Sequence, residues 1–203
     1  MPQPIDFLDV PYSSDARPCA EFAGHVYVAG GAKRGPVESS DYGLWKTDGT
    51  AAGTTPVKVF LTGVDDPDPI LDCISTGSDV VFVHGPSVYR TDGTEAGTQP
   101  VGNASAIPDE QVFDVGLVGT DVYVTSGVTK PNRLWVLRGT TFTEVAYVFT
   151  NEILPPFADV GGSAAFIVKA GSSLRVWSSD GTAAGTQQLL ITGQDVTDVR
   201  AGG

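Results

Sequence analysis

The chain has 203 residues, with 12 Lys and Arg against 24 Asp and Glu and a formal net charge of -12, a balance that repels phosphate backbones and anionic lipid surfaces. It contains 25 Gly and 14 Pro while hydrophobic residues still make up 41%, which excludes a disordered chain and fits many short strands joined by tight turns. No run of about 18 apolar residues is present, so nothing in the sequence reads as a membrane-spanning helix, and neither nucleic acid nor membrane insertion is expected of it.

At the N-terminus, MPQPIDFLDVPY has neither a basic start nor an apolar core, so the expectation is a cytoplasmic chain as written, or a secreted one whose leader has been removed. Residues 4–10 read as an outer strand with no blade of its own. The first repeat follows, with Cys19 just ahead of the apolar run at His25 to Val28. A long connection, GGAKRGPVESSDYG from Gly30 to Gly43, leads to the phrase LWKTDGTAAGT at Leu44 to Thr54.

The second repeat supplies the clearest blade. Residues 70–76, 78–84, 87–91 and 98–102 read as four strands, with a turn at Gly77 and with Cys73 in the first of them. The acidic run Val64 to Pro69 precedes it, and VYRTDGTEAGT spans Val88 to Thr98. In the third repeat the phrase has eroded to LWVLRGTTF at Leu134 to Phe142, after a connection SGVTKPNR at Ser126 to Arg133. The fourth carries VWSSDGTAAGT at Val176 to Thr186, and the chain then runs out as the start of a further inner strand.

Asp48, Asp92, Arg138 and Asp180 therefore occupy one position, in steps of 44, 46 and 42 residues. A period of that size filled with strand-forming residues predicts an all-β fold, a small β-propeller of about four four-stranded antiparallel blades. The units are approximately 11–58, 59–102, 103–150 and 151–193 of a single domain spanning 1–203. Residues 4–10 and 194–203 would close the ring, supply an incomplete fifth blade, or pair with a second chain in a homodimer.

Turn chemistry accounts for the phrase without a ligand. Gly accepts the positive φ of a tight turn, Asp bonds backbone just downstream, the following Thr adds a side-chain bond, and the second Gly permits a bulge. A calcium ion needs six to eight oxygens, whereas each turn offers one carboxylate and the third copy has Arg138 instead. The aromatics Trp45, Tyr89, Trp135 and Trp177 share another position and read as packing between blades; exposed on one face, they would instead suit sugar stacking. Cys19 and Cys73 are expected to be two buried free thiols, because equivalent residues on neighbouring blades usually lie beyond disulfide reach.

With its aromatic-led DGT phrase, the chain resembles the bacterial ELWxxDGT repeat family, whose units are expected to form β-propellers. The leading Glu of that motif is replaced by Gly43, Ser87, Arg133 and Arg175. The family has no common catalytic residues, so the resemblance implies a scaffold and no activity. The phrase is also similar in its turn chemistry to the Asp-box of sialidases, although there the aromatic follows the Asp.

Function is sought where the repeat is broken. The two long connections carry Lys33, Arg34, Lys130 and Arg133, and with Tyr42 at the exit of the first they form the expected ligand-binding set, a clamp for a peptide or protein bearing carboxylates. Asp65, Asp66, Asp68, Asp109, Glu110 and Glu152 should border the same face. No catalytic residue, cofactor or metal is assigned: His25 and His84 stand apart from any Ser/His/Asp, Cys/His or metal-ligand spacing. The expected function is a non-enzymatic binding or scaffold propeller, with a lectin-like propeller or a carboxylate-dependent hydrolase or lyase as alternatives.

Overall fold

A computed structural model describes residues 16–33, 40–62, 70–101, 111–129, 131–146 and 151–191. Among them the chain is all-β. Four antiparallel sheets of four strands follow one another, each a meander in chain order, which is the blade unit of a propeller. Blade 1 holds β1 (Arg17–Phe22), β2 (His25–Lys33), β3 (Ser40–Thr47) and β4 (Thr55–Thr62); blade 2 holds β5 (Ile70–Ser75), β6 (Val80–His84), β7 (Ser87–Thr91) and β8 (Gln99–Pro100). In blade 3 are β9 (Gln111–Val118), β10 (Asp121–Gly127), β11 (Arg133–Arg138) and β12 (Thr141–Ala146). Blade 4 comprises β13 (Glu152–Val160), β14 (Ser163–Ala170), β15 (Ser173–Ser179) and β16 (Gln187–Ile191).

The chain divides into two compact units, Met1–Pro100 and Val101–Gly203, so that each unit contains two blades. Blade 1 reaches Thr62, a few residues beyond the sequence-derived boundary. Much of the long first connection is also strand, because β2 continues to Lys33 and β3 begins at Ser40. The terminal segments 4–10 and 194–203 lie outside the described residues.

Ladder register confirms that the repeat aromatics are equivalent. Trp45 faces Val28, Tyr89 faces Phe82, Trp135 faces Val124 and Trp177 faces Phe166, each across the same pair of middle strands. Burial along the second strands differs between blades: β6 and β10 are buried over nearly their whole length, whereas β14 alternates. Val80, Val81, Phe82 and Val83 of β6 are all fully buried. Each unit has its own core spanning its two blades. Tyr27, Leu44, Val57 and Phe82 lie at the centre of unit 1, and Tyr123, Leu134, Ile153 and Phe166 at that of unit 2. Burying one such side chain contributes about 1.5–3 kcal/mol.

Cys19 and Cys73 are joined by a disulfide, so the expectation of free thiols was wrong. The separation of equivalent positions on neighbouring blades depends on which strand carries them. Inner strands converge: β1 and β5 bring the two Cα atoms to 5.4 Å, inside bonding range. A bulge in β1 between Pro18 and Ala20 sets Cys19 at the junction.

Neighbouring blades are also tied at their turns, by one device in both units. In unit 1, Lys46 Nζ donates to the carbonyl of Gly93 in the blade 2 turn at 2.7 Å, and a Cβ at Gly93 would overlap the Tyr27 hydroxyl. In unit 2, Tyr123 Oη donates to the Ser179 carbonyl at 3.1 Å, and Arg138 Nη2 reaches the Asp180 carbonyl at 3.4 Å in the blade 4 turn. Tyr27 and Tyr123 hold the same register position, one residue before the partner of the repeat Trp. Blades 2 and 4 have Val81 and Ala165 there, so the chain carries a two-blade period beneath its one-blade repeat.

Candidate functional site

Each unit has a turn end, formed by the DGT phrases, and a loop end, where β2 joins β3 and where blade follows blade. The turn end is occupied by structural chemistry. In blade 2, Asp92 Oδ1 accepts from the backbone N–H of Thr94 at 2.9 Å and from its hydroxyl at 2.7 Å, while Thr94 Oγ1 accepts from Gly97 N at 2.9 Å. Thr98 Oγ1 donates to the Thr94 carbonyl at 2.6 Å and lies 2.7 Å from Thr91 Oγ1, which accepts from Gly93 N. The same network recurs around Asp48 and Asp180.

These bonds explain both glycines. Gly93 has φ of 91°, which a side chain resists. Gly97 is required by space, since a Cβ there would overlap the Asp92 carboxylate. That contact, more than a bulge, is the reason for the second Gly of the phrase. The Thr hydroxyls, and next the Thr backbone N–H groups, hold the Asp48, Asp92 and Asp180 carboxyls below the ordinary aspartate value. Where the phrase has eroded, Arg138 turns away to bind Asp121, at 2.9 Å through Nε and 2.6 Å through Nη2. Among the described residues no cluster of three or more His, Cys, Asp or Glu side chains is placed to hold a metal ion.

The repeat aromatics are packed into the blades. Trp135 is 6% exposed and its Nε1 donates to Ser126 Oγ at 2.8 Å. Tyr89 and Trp177 are half-buried against the two cores. Trp45 is half-buried with its Nε1 enclosed, so these side chains do not form an exposed ring for sugar stacking.

At the loop end of unit 1 four rings are layered. His84, at the end of β6, stacks on Phe60 of β4 with centroids 3.7 Å apart and planes 11° apart, and Phe82 stacks on Tyr89 at 5.2 Å. Phe60 meets Tyr89 edge-on at 5.2 Å. Phe60 reaches blade 2 because it sits at a bulge of β4, opposite the Tyr42–Gly43 step of β3. Tyr42, Phe60 and His84 are all half-buried. Ile70 pairs with His84, and the Ile70 carbonyl accepts from Arg17 Nη2 at 3.1 Å, which sets a cation at the same level. Sequence reasoning missed this cluster, passing over His84 as a strand end; the bulge that turns Phe60 inward has no composition signal.

The expected clamp is only partly visible. Lys33 closes β2, Tyr42 lies on β3 packed against the unit 1 core, and Arg133 opens β11 with Nη1 3.8 Å from Glu144 Oε1. Arg34 and Lys130 lie outside the described residues, as do Asp65, Asp66, Asp68, Asp109 and Glu110. Glu152 begins β13. The β10–β11 connection that carries Lys130 is pinned at both of its described margins. Asn132 N donates to the Ser126 carbonyl at 3.0 Å, and Ile153 N donates to the Pro131 carbonyl at 2.6 Å.

Comparison with known proteins adds little to this geometry. No protein-family model and no curated protein matches the chain. Among solved structures it is similar to the crystal structure of the GH43_1 enzyme from Xanthomonas citri complexed with xylotriose. The two share 12% sequence identity over 90% of this chain and 75% of that one, with a TM-score of 0.38.

Proposed function

We propose that this chain is a binding module of the ELWxxDGT type, without catalytic activity, and that the loop end of unit 1 takes a peptide or protein segment pairing an apolar or aromatic side chain with carboxylates. The observation that carries the reading is the half-buried Phe60–His84 stack, beside Tyr42 and at the level of Arg17. An aromatic shelf receives an apolar anchor at low entropic cost, and neighbouring cations select its acidic flank. Lys33 ends β2 at this end of the blade, and Arg34 is the next residue in the sequence. Elsewhere, Asp48, Asp92 and Asp180 are engaged in the turns, Arg138 binds Asp121 and Trp135 binds Ser126.

The Cys19–Cys73 bond supports an oxidising compartment for the mature protein, because disulfides persist outside the reducing cytoplasm. A displayed peptide library panned against the folded chain tests the binding reading. Enriched peptides should pair an aromatic with Asp or Glu. Their affinity should fall about tenfold in Tyr42→Ala and further in Lys33→Glu/Arg34→Glu, with a steep salt dependence. Absence of any enriched peptide, or enrichment indifferent to all three changes, refutes it.

A further inference from the structure

The inner strands of both units meet, but they are joined differently. Register places Ala20, Ile74, Gly116 and Ala158 at one level, opposite Tyr27, Val81, Tyr123 and Ala165. The residues just before them are Cys19, Cys73, Val115 and Phe157. Unit 2 closes the contact by packing: Phe157 lies over Gly116, where a Cβ would come within 2.6 Å of its ring, and its centroid is 5.7 Å from both Tyr123 and Phe166. Unit 1 has Ala20 in place of that Gly and a sulfur in place of that ring. Its contact is closed by the disulfide.

We propose that Cys19–Cys73 is a reversible redox joint confined to unit 1, opened by a dithiol reductant while the four sheets stay intact. This inference stands apart from the binding proposal above. The bond links two sheets and belongs to no ladder: β1 is held by β2, and β5 by β6, whether or not the bond exists. Access is one-sided. Cys19 is half-buried in the bulge of β1 beside exposed Arg17 and Pro18, whereas Cys73 is 2% exposed. A thiolate of the dithiol attacks Cys19 Sγ, forming a mixed disulfide as the Cys19–Cys73 bond breaks, and Cys73 leaves as a thiolate that takes up a proton. The second thiol of the reductant then attacks its own sulfur in the mixed disulfide. It releases Cys19 as a thiol and departs as an oxidised disulfide, so two electrons pass from reductant to protein. The Arg17–Ile70 hydrogen bond and the packing of Cys19 and Ala20 then remain to hold β1 against β5, while Phe157 holds unit 2 as before.

Hydrogen exchange read by mass spectrometry on the full chain, with and without dithiothreitol, tests the joint. Exchange should rise roughly tenfold over 17–22 and 70–75, stay unchanged over 111–118 and 152–160, and return on reoxidation. Cys19→Ser/Cys73→Ser should give the reduced pattern in either condition. Cys19→Val/Ala20→Gly/Cys73→Phe, which carries the unit 2 packing into unit 1, should make the strands indifferent to dithiol; if that triple variant fails to fold, the double serine variant decides alone. A bond that resists dithiol without denaturant, reduction with no change in exchange, loosening of both units together, or a double serine variant that unfolds as a whole would each overturn the proposal.

Discussion

Replacing Thr98 and Thr54 by valine in separate variants uses the repeat as its own control. In blade 2 the hydroxyl protons can run in one direction only. Thr98 donates to the Thr94 carbonyl, so Thr91 must donate to Thr98, and Thr91 in turn accepts from Gly93 N. Thr98→Val keeps the shape and removes the hydroxyl, which strands the Thr91 proton. Thr91 is 0% exposed and Thr98 1%, so no water can substitute, and an unpaired buried donor costs about 1–3 kcal/mol. Thr54→Val removes the equivalent atom of blade 1, where Thr47 is 8% exposed and Thr54 half-buried, so water can satisfy the stranded groups and the loss should be about 1 kcal/mol. A compact unit of about a hundred residues loses roughly 4–8 °C of Tm per kcal/mol. Calorimetric melts should therefore fall by roughly 8–16 °C for Thr98→Val, at about 2 kcal/mol, and by half as much for Thr54→Val. An equal loss in the two variants, or less than about 0.5 kcal/mol in Thr98→Val, would refute the argument that burial sets the cost of this network.

The depressed turn carboxyls make stability complete above the ordinary aspartate value of 3.8 and withdraw it as the pH falls below that; in Thr94→Val the Asp92 carboxyl should titrate back toward 3.8 in an NMR titration, while Asp48 and Asp180 stay put. Arg138→Asp restores the repeat consensus yet should destabilise unit 2 in urea, because the new carboxylate faces Asp121. Adding Asp121→Asn should recover the loss, since it removes the facing charge while keeping the side chain's shape. Arg138→Ala should cost less than about 1 kcal/mol, as the Arg138 and Asp121 side chains are 48% and 25% exposed. Trp135→Phe should cost about 1 kcal/mol more than Trp45→Phe in urea unfolding, since only Trp135 gives up a hydrogen bond, to Ser126, while the Trp45 Nε1 has no partner among the described residues.

Four-strand units, their turns and the packed position of the aromatics were legible in the sequence because they rest on local chemistry repeated four times. The DGT phrase predicts its own hydrogen bonds, since Asp, Gly and Thr act within a few residues of one another. Arg138 illustrates the limit of that reasoning. Its loss of the Asp reads as erosion along the chain, but in space its guanidinium reaches both Asp121 and the next blade's turn.

What only the tertiary structure decided lies between blades. Periodicity places Cys19 and Cys73 at equivalent positions without giving their separation, which depends on the convergence of inner strands. Likewise nothing local announces that Phe60 leaves its own sheet at a bulge to stack on His84, or that Phe157 covers Gly116 where unit 1 has a sulfur bridge. A repeat records the interactions that every copy makes with itself. Contacts between copies depend on register, bulges and the approach of backbones, and those are fixed when the sheets pack.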